Sequence, residues 1–315
     1  MYRIGVDLGG TNIKAGIMDE SYQILLKDSV PTGSERGFEA IVKDMAALVL
    51  DLLKRQSISY DEVIGVGIGS PGSIDSSTGV VAYSNNLNWH DAPLAAELMK
   101  LLPFKVRVSN DANCAALGEV KAGAAKNINN AVLLTLGTGV GGGIVSEGKI
   151  FEGGHAGGAE LGHTMLVRGG AACTCGRMGC LEAYASATAL IRQTKEAALL
   201  DPSSKIHEIC QGDLTKVDGK TAFLAKEMGD ATGTRVVEEY IGYLSDGIVD
   251  FINIFRPDVI LLSGGICNEG KNLTDPVNEL VKKNCYANNF NFIPKVETAI
   301  LGNNAGMIGA AALVD

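Results

Sequence analysis

No basic run occurs anywhere in this 315-residue sequence. Lysine and arginine total 27 against 36 aspartates and glutamates, a formal net charge of -9. Nothing here would neutralise a row of phosphates, so nucleic acid is not an expected partner. No apolar run approaches the roughly 20 residues of a membrane span, and no membrane association is expected. Arg3-Ile4-Gly5-Val6 already reads as a strand, so no signal peptide is expected either. Outside one cluster, Cys114, Cys210, Cys267 and Cys285 show no paired pattern, and a reducing cytoplasm is the expected compartment. There is no flexible linker, so any domains are expected to be joined by crossing segments. What the chain does have is glycine, 40 residues set in short runs beside apolar segments. They read as tight turns rather than low-complexity spacer.

The opening reads strand, glycine turn, strand: residues 4–7, then Leu8-Gly9-Gly10-Thr11-Asn12, then 13–18. A third antiparallel strand is expected over 22–27. A helix follows with Ser34 as candidate N-cap, because Phe38, Ile41, Val42, Met45, Leu48, Val49 and Leu52 recur at three- and four-residue spacings. Residues 63–68 form a buried strand ending in Gly69-Ser70-Pro71-Gly72. The opening pattern recurs as a strand over 131–136, a turn from Gly137 to Gly143, and a return strand from Ile144. Two such units suggest a duplicated α/β fold with a cleft between its halves. Further on, helices are expected over 182–199, near Ile206, from Thr221 and up to Phe255. Strand 259–262 then runs into Ser263-Gly264-Gly265, followed by a helix near Pro276, a strand over 295–300 and an alanine-rich helix from Asn304. His155 carries no motif and is read as a loop histidine.

The one cysteine cluster lies between Gly162 and Ala183, where His163, Cys173, Cys175 and Cys180 follow the spacing H-x9-C-x-C-x4-C. Three thiolates and an imidazole are what a closed tetrahedral zinc site needs, and Gly169, Gly170, Gly176 and Gly179 allow the turns that would converge them. Ordinary buried thiols or a disulfide are the alternatives. Glu160 and Glu182 flank the ligands, and a purely structural knuckle would not need them. The stretch is therefore expected to belong to an active site as well.

Phosphate chemistry is suggested at three turns. In the first, Gly9 and Gly10 bare the backbone, Thr11 adds a hydroxyl, Lys14 a cation, and Asp7 a carboxylate able to hold Mg²⁺. It is neither a Walker loop nor a G-x-G-x-x-G fingerprint. The second offers Thr138 and Gly139. The third, Gly264 and Gly265, follows a buried strand where a nucleoside has room against backbone. Each alone reads as structural; together they favour a nucleoside triphosphate clamp. Between them, Ser109-Asn110-Asp111-Ala112-Asn113 joins a strand over 105–108 to an alanine-rich segment over 114–125. Asp111 or Asn110 there can simply cap a helix. A phosphoryl acceptor also needs a carboxylate to take its proton, and Asp111 suits that task.

These motifs, in this order, resemble the ROK family of sugar kinases and repressors, and within it the bacterial ATP-dependent glucokinases. The resemblance rests on 7–14, Asn110-Asp111-Ala112-Asn113, 136–143, Glu160-Leu-Gly-His163 and the block Cys173-x-Cys175-Gly-x-x-Gly-Cys180-x-Glu182. Leu87-Asn88-Trp89 is similar to the family's Asn-Leu-Gly-Trp segment with Asn88 in place of glycine, and Gly158-Ala159-Glu160 stands where Ala-Gly-Glu is usual. The resemblance implies a duplicated actin-like (ribonuclease H-like) ATPase fold, with a small domain of 1–113 plus 302–315 and a larger one of 114–301 carrying the zinc loop. It implies that ATP, with Mg²⁺, phosphorylates a hexose at its 6-hydroxyl, with Asp111 as general base. Gly72, Asn110, Glu160, His163 and Glu182 would hold the sugar. Domain closure would exclude water. A homo-oligomer, dimer or tetramer, is also implied. Glucose is the expected hexose; fructose, mannose, N-acetylmannosamine and allose are alternatives, as is polyphosphate as donor. A sugar-sensing repressor is the other class, and the six residues before Asp7 are expected to leave no room for a helix-turn-helix.

Overall fold

Short β-branched runs broken by glycine make strands that can be buried on both faces. The computed structural model of the chain describes residues 1–154 and 157–315 and forms three sheets among them. His155, read above as a loop histidine, lies outside the described residues. The chain runs β1 (Tyr2–Leu8), β2 (Asn12–Met18), β3 (Ile24–Pro31), α1 (Phe38–Gln56), β4 (Val63–Ser70), β5 (Ser73–Asp75), β6 (Val80–Ser84), β7 (Trp89–Ala92) and α2 (Leu94–Leu101). It continues through β8 (Val106–Asn110), α3 (Asp111–Ala122), β9 (Ala131–Leu136), β10 (Val140–Ser146) and β11 (Lys149–Ile150). The helical part is α4 (Glu182–Ala185), α5 (Ala187–Leu200), α6 (Ile206–Ile209), α7 (Thr221–Glu227) and α8 (Ala231–Phe255). Last come β12 (Val259–Ser263), α9 (Lys271–Asn284), β13 (Lys295–Thr298) and α10 (Ala305–Ala312).

Two compact units result: Met1–Leu133 with Gly143–Ala159 and Ala299–Asp315, and Leu134–Gly142 with Glu160–Thr298. Helix α3, assigned from sequence mostly to the larger domain, lies within the first of these, where it packs along α10.

In the first unit the strand order is β3-β2-β1-β4-β8, antiparallel up to β1 and parallel beyond it. The expected apolar face of α1 packs on β2 and β3, with Ile41, Met45, Val49 and Leu52 at most 1% exposed. Each such side chain contributes about 1.5–3 kcal/mol by leaving water. Helix α10 lies against β1, β4 and α3 at a separation only glycine permits. A Cβ added at Gly67 would stand 1.7 Å from the Ala310 carbonyl oxygen, and one at Gly309 would stand 1.6 Å from that of Cys114. Backbone therefore packs directly on backbone around the helix that begins at Asp111.

Two expectations change at helix starts. Ser34 does not cap α1: Ser34–Arg36 is a single 3-10 turn, and the helix begins at Phe38. Gly33 and Gly37, with φ of 57° and 81°, bracket that turn, and no α-helix runs through positive φ. Likewise the helix expected over 182–199 is broken at Ser186, whose backbone is extended and whose hydroxyl accepts the Ala189 N–H to start α5 afresh. The antiparallel sheet β5-β6-β7 and helix α2 were not expected from sequence, since strands of three to five residues and an eight-residue helix with no side-chain cap leave little pattern to read.

The second unit is built around α8, in which Tyr240, Leu244, Ile248 and Ile252 are fully buried. The Tyr240 hydroxyl donates to the Ala185 carbonyl at 2.9 Å, which fixes α8 under the segment carrying Glu182. Arg256, at φ 47°, ends α8 before Pro257, and β12 then pairs in parallel with β13. Among the described residues no helix is long and apolar enough to cross a membrane.

Candidate active site

The first glycine turn is fixed from below by Thr32. Its hydroxyl donates to Gly9 O at 2.6 Å and its N–H to Thr11 O at 2.8 Å, and the turn is closed by Gly9 N to Asn12 O at 3.0 Å. Gly10 and Thr11 are left exposed. The β1–β2 register sets Asp7 opposite Lys14, whose ammonium lies 3.5 Å from the carboxylate. Burial pushes the Asp7 carboxyl above its usual range, and Lys14 opposes that shift.

At the end of β8 the cap of α3 is Asn110, not Asp111. The Asn110 side-chain oxygen accepts the N–H groups of Ala112 (2.9 Å) and Asn113 (3.3 Å), while its NH₂ donates to Gly72 O at 3.0 Å. Gly72 has φ 111°, and a Cβ there would meet the Tyr83 carbonyl at 2.1 Å, so only glycine brings this carbonyl to Asn110. Asp111 is the first helical residue; its Oδ1 accepts the Ala112 N–H at 2.8 Å. There the helix dipole favours negative charge. Sequence reading missed a support just beneath: Glu152 accepts from the hydroxyls of Ser76 and Ser109, the latter at 2.7 Å. Three of the predicted site residues, Gly72, Asn110 and Asp111, are thus brought together by hydrogen bonds and chain continuity.

In the second unit the cysteine cluster forms as expected. The donor atoms of His163, Cys173, Cys175 and Cys180 all lie within 4.8 Å of one another. The Cys175 and Cys180 sulfurs are 3.7 Å apart, and His163 Nδ1 is 3.6 Å from the Cys173 sulfur. Ligands about 2.3 Å from a tetrahedral ion are separated by about 3.8 Å, so this donor set fits zinc in kind and spacing. Burial pushes the Cys173 thiol up to about 12, whereas the Arg177 N–H draws that of Cys175 down.

Glu182 ties this loop to the second glycine turn. Its Oε2 accepts the Val140 N–H at 3.0 Å, and its Oε1 accepts the Thr174 hydroxyl at 2.7 Å. A Cβ at Gly139 would come within 2.2 Å of that carboxylate. The third turn joins the second: Gly264, at φ 111°, lies so close to Leu136 O that a Cβ would meet it at 2.2 Å. Among the described residues nothing stands within 4 Å of the Cβ position of Gly265. Thr138 and Glu160 sit at the surface of this unit, Thr138 on the second turn and Glu160 ahead of the short turn that carries His163.

The sequence profile of the ROK family matches residues 3–315. The chain belongs to the ROK family. A glucokinase of Thermotoga maritima is 38% identical over 312 residues, which covers 99% of this chain and 96% of that one. A crystal structure of a ROK family glucokinase from Streptomyces griseus, in complex with glucose and AMPPNP, superposes with a TM-score of 0.79 at 33% identity, covering 99% of both chains. A putative xylose repressor of Caldicellulosiruptor is more distant, 24% identical over 311 residues that span 77% of its length. The α/β fold is the actin-like one of ROK sugar kinases.

The two departures from the usual ROK pattern both fall at positive φ, 54° at Asn88 and 70° at Ala159. Asparagine tolerates that region; alanine does not. Ala159→Gly is expected to raise stability by up to about 1 kcal/mol, strain relief exceeding the added unfolded-state entropy. A thermal melt would register about 2 °C, and an unchanged or lower midpoint would refute the strain.

Proposed function

We propose that this chain transfers the γ-phosphoryl group of ATP to the 6-hydroxyl of glucose. The observation that carries the reading is likeness over nearly the whole chain to glucokinases at 36–38% identity, against 24–28% for the repressors. The fold and the glucose- and AMPPNP-bound relative support it.

In this reading Asp111 takes the proton of the attacking hydroxyl as the oxygen approaches the phosphorus in line. Asn110, already oriented by capping α3, keeps an N–H for a neighbouring hydroxyl, and Gly72 contributes backbone. Glu160, His163 and Glu182 hold further hydroxyls; a buried group left unpaired by the wrong sugar is what discriminates hexoses. The exposed turn of Gly9, Gly10 and Thr11 cradles phosphate with Lys14, and Thr138, Gly139, Gly264 and Gly265 present backbone to the nucleotide. Asp7 supplies an oxygen of the kind Mg²⁺ takes, and bound Mg²⁺ neutralises charge on the phosphates. His163, Cys173, Cys175 and Cys180 would hold zinc with no position left for a reactive water, so the metal's part is to orient. Were Nδ1, the ring atom 3.6 Å from the Cys173 sulfur, to take the metal, His163 Nε2 would carry the proton and could donate it to a sugar oxygen.

The test is ADP release over glucose, fructose, mannose, N-acetylmannosamine and allose, with ATP and polyphosphate compared as donors. Glucose with ATP is expected to give the highest kcat/KM. Turnover confined to another hexose would overturn the substrate assignment, and none with any sugar would overturn the kinase.

A further inference from the structure

Glu119 is 0% exposed, in the middle of the third turn of α3. Its Oε2 accepts the Ala124 N–H and its Oε1 the Leu301 N–H, each at 2.8 Å. A carboxylate removed from water is costly unless hydrogen bonds replace its hydration, and here the second bond spans 182 residues of sequence. What that bond fixes is the entry to α10. From Leu301 a single 3-10 turn, Gly302–Asn304, leads into the helix. Its second residue, Gly306, abuts Asp7 so closely that a Cβ would stand 3.3 Å from the carboxylate. The other end of the path is equally stiff. Glu119 lies on the same short helix as Asp111, and beside it Gly118 touches α10, where a Cβ would meet Ala305 O at 2.3 Å. Two helices in backbone contact cannot slide past one another without a clash.

The geometry points to Glu119 as a positioning residue for phosphoryl transfer. By holding Leu301 N it sets the start of α10 against Asp7, and so keeps the phosphate turn in register with the helix that presents Asp111. The inference rests on the roles proposed for Asp7 and Asp111; Glu119 itself touches no substrate. A staple of purely structural value would lower the folded fraction and leave the affinities of the folded protein intact. A positioning residue changes them selectively, on the phosphate side.

Glu119→Gln keeps the shape but sets an NH₂ against one of the two N–H donors. In the full chain, hydrogen exchange of amides 301–306 is expected to speed tenfold or more under conditions where the fold is intact, since a bond to a charged acceptor is lost. AMPPNP affinity, read by calorimetry, is expected to fall about tenfold and kcat at least as much, with glucose affinity held within twofold. Leu301→Pro is the second variant: it removes the donor and leaves the carboxylate, at a φ of -78° that proline accepts. The same split is expected there, so a Glu119 variant that fails to fold does not end the test. Unchanged exchange over 301–306 overturns the assignment. Faster exchange with AMPPNP affinity and kcat both within twofold of wild type also overturns it, leaving only a staple. A wild-type protein that does not phosphorylate glucose overturns the functional reading instead, and the exchange and AMPPNP measurements still decide Glu119.

Discussion

Asp111→Asn is expected to lower kcat for glucose phosphorylation about 10³-fold while glucose affinity changes less than about threefold. The substitution removes the negative charge and the proton acceptor. Asparagine has the same outline, and its carbonyl oxygen can still accept the Ala112 N–H that Asp111 Oδ1 accepts at 2.8 Å. Helix α3 does not depend on Asp111 for its cap, because Asn110 supplies it. Glu152, through the Ser109 hydroxyl, continues to hold the end of β8. Stability is therefore expected to change by well under 1 kcal/mol beyond the lost dipole interaction. Steady-state ADP release gives kcat and KM, and calorimetry with glucose alone gives affinity without turnover. Turnover near wild type would remove Asp111 from the reaction. Loss of glucose binding together with turnover would make it a sugar ligand first.

What could be read from sequence here follows from how far apart the cooperating residues are. Strands such as Ala131–Leu136, and the turn at Gly9-Gly10, are written locally: apolar runs between glycines have few other solutions. The cysteine cluster is local too, and its four donors converge. The boundaries that moved did so for reasons a pattern of apolar positions does not carry. Positive φ at Gly33 and Gly37 delays α1, and a capping hydroxyl at Ser186 splits a helix whose hydrophobic periodicity continues through it. The supports of the candidate site were invisible for another reason. Thr32 under the first turn, Glu152 under β8 and Glu119 against Leu301 all act across chain separations that leave no spacing to read. Asn88 and Ala159 show a third case. The unusual residue was visible, and the positive φ beneath it was not. Asp111 suited proton transfer from its place at a strand end, but the sugar-holding roles proposed for Glu160 and His163 were legible only because the motifs resemble a known family, since carboxylates and histidines at such positions also serve as caps and loop residues.

Cys175→Ser is expected to abolish stoichiometric zinc, about one ion per chain in the wild-type protein, and to weaken glucose binding at least tenfold. The loop between His163 and Cys180 is folded on itself by backbone hydrogen bonds, among them Leu166 and Val167 N–H to Gly179 O, Cys173 N–H to Arg177 O and Gly179 N–H to Ala171 O. Its regular pairing is two isolated bridges, Met165 with Cys180 and Ala172 with Met178, and Met165 and Met178 are half exposed. Structural zinc contributes about 10–16 kcal/mol to small sites of this kind, against about 0.5–1.5 kcal/mol net for any one of those backbone bonds. Without the metal, His163 loses the partner that would fix its ring and its tautomer. Glu182, two residues beyond Cys180, loses part of its anchorage, because the Thr174 hydroxyl it accepts at 2.7 Å lies between two ligands. Its contact with Val140 N gives the same disturbance a route to the second glycine turn. The measurements are metal content by mass spectrometry and glucose affinity by calorimetry on protein shown to be folded. Serine at position 175 is a fair probe because Cys175 is exposed, so the substitution leaves no buried cavity to confuse the result. Zinc lost with glucose affinity intact would make the metal a distant staple and detach His163 from the sugar. Zinc never present in the wild type would leave four converging thiol and imidazole groups to another purpose.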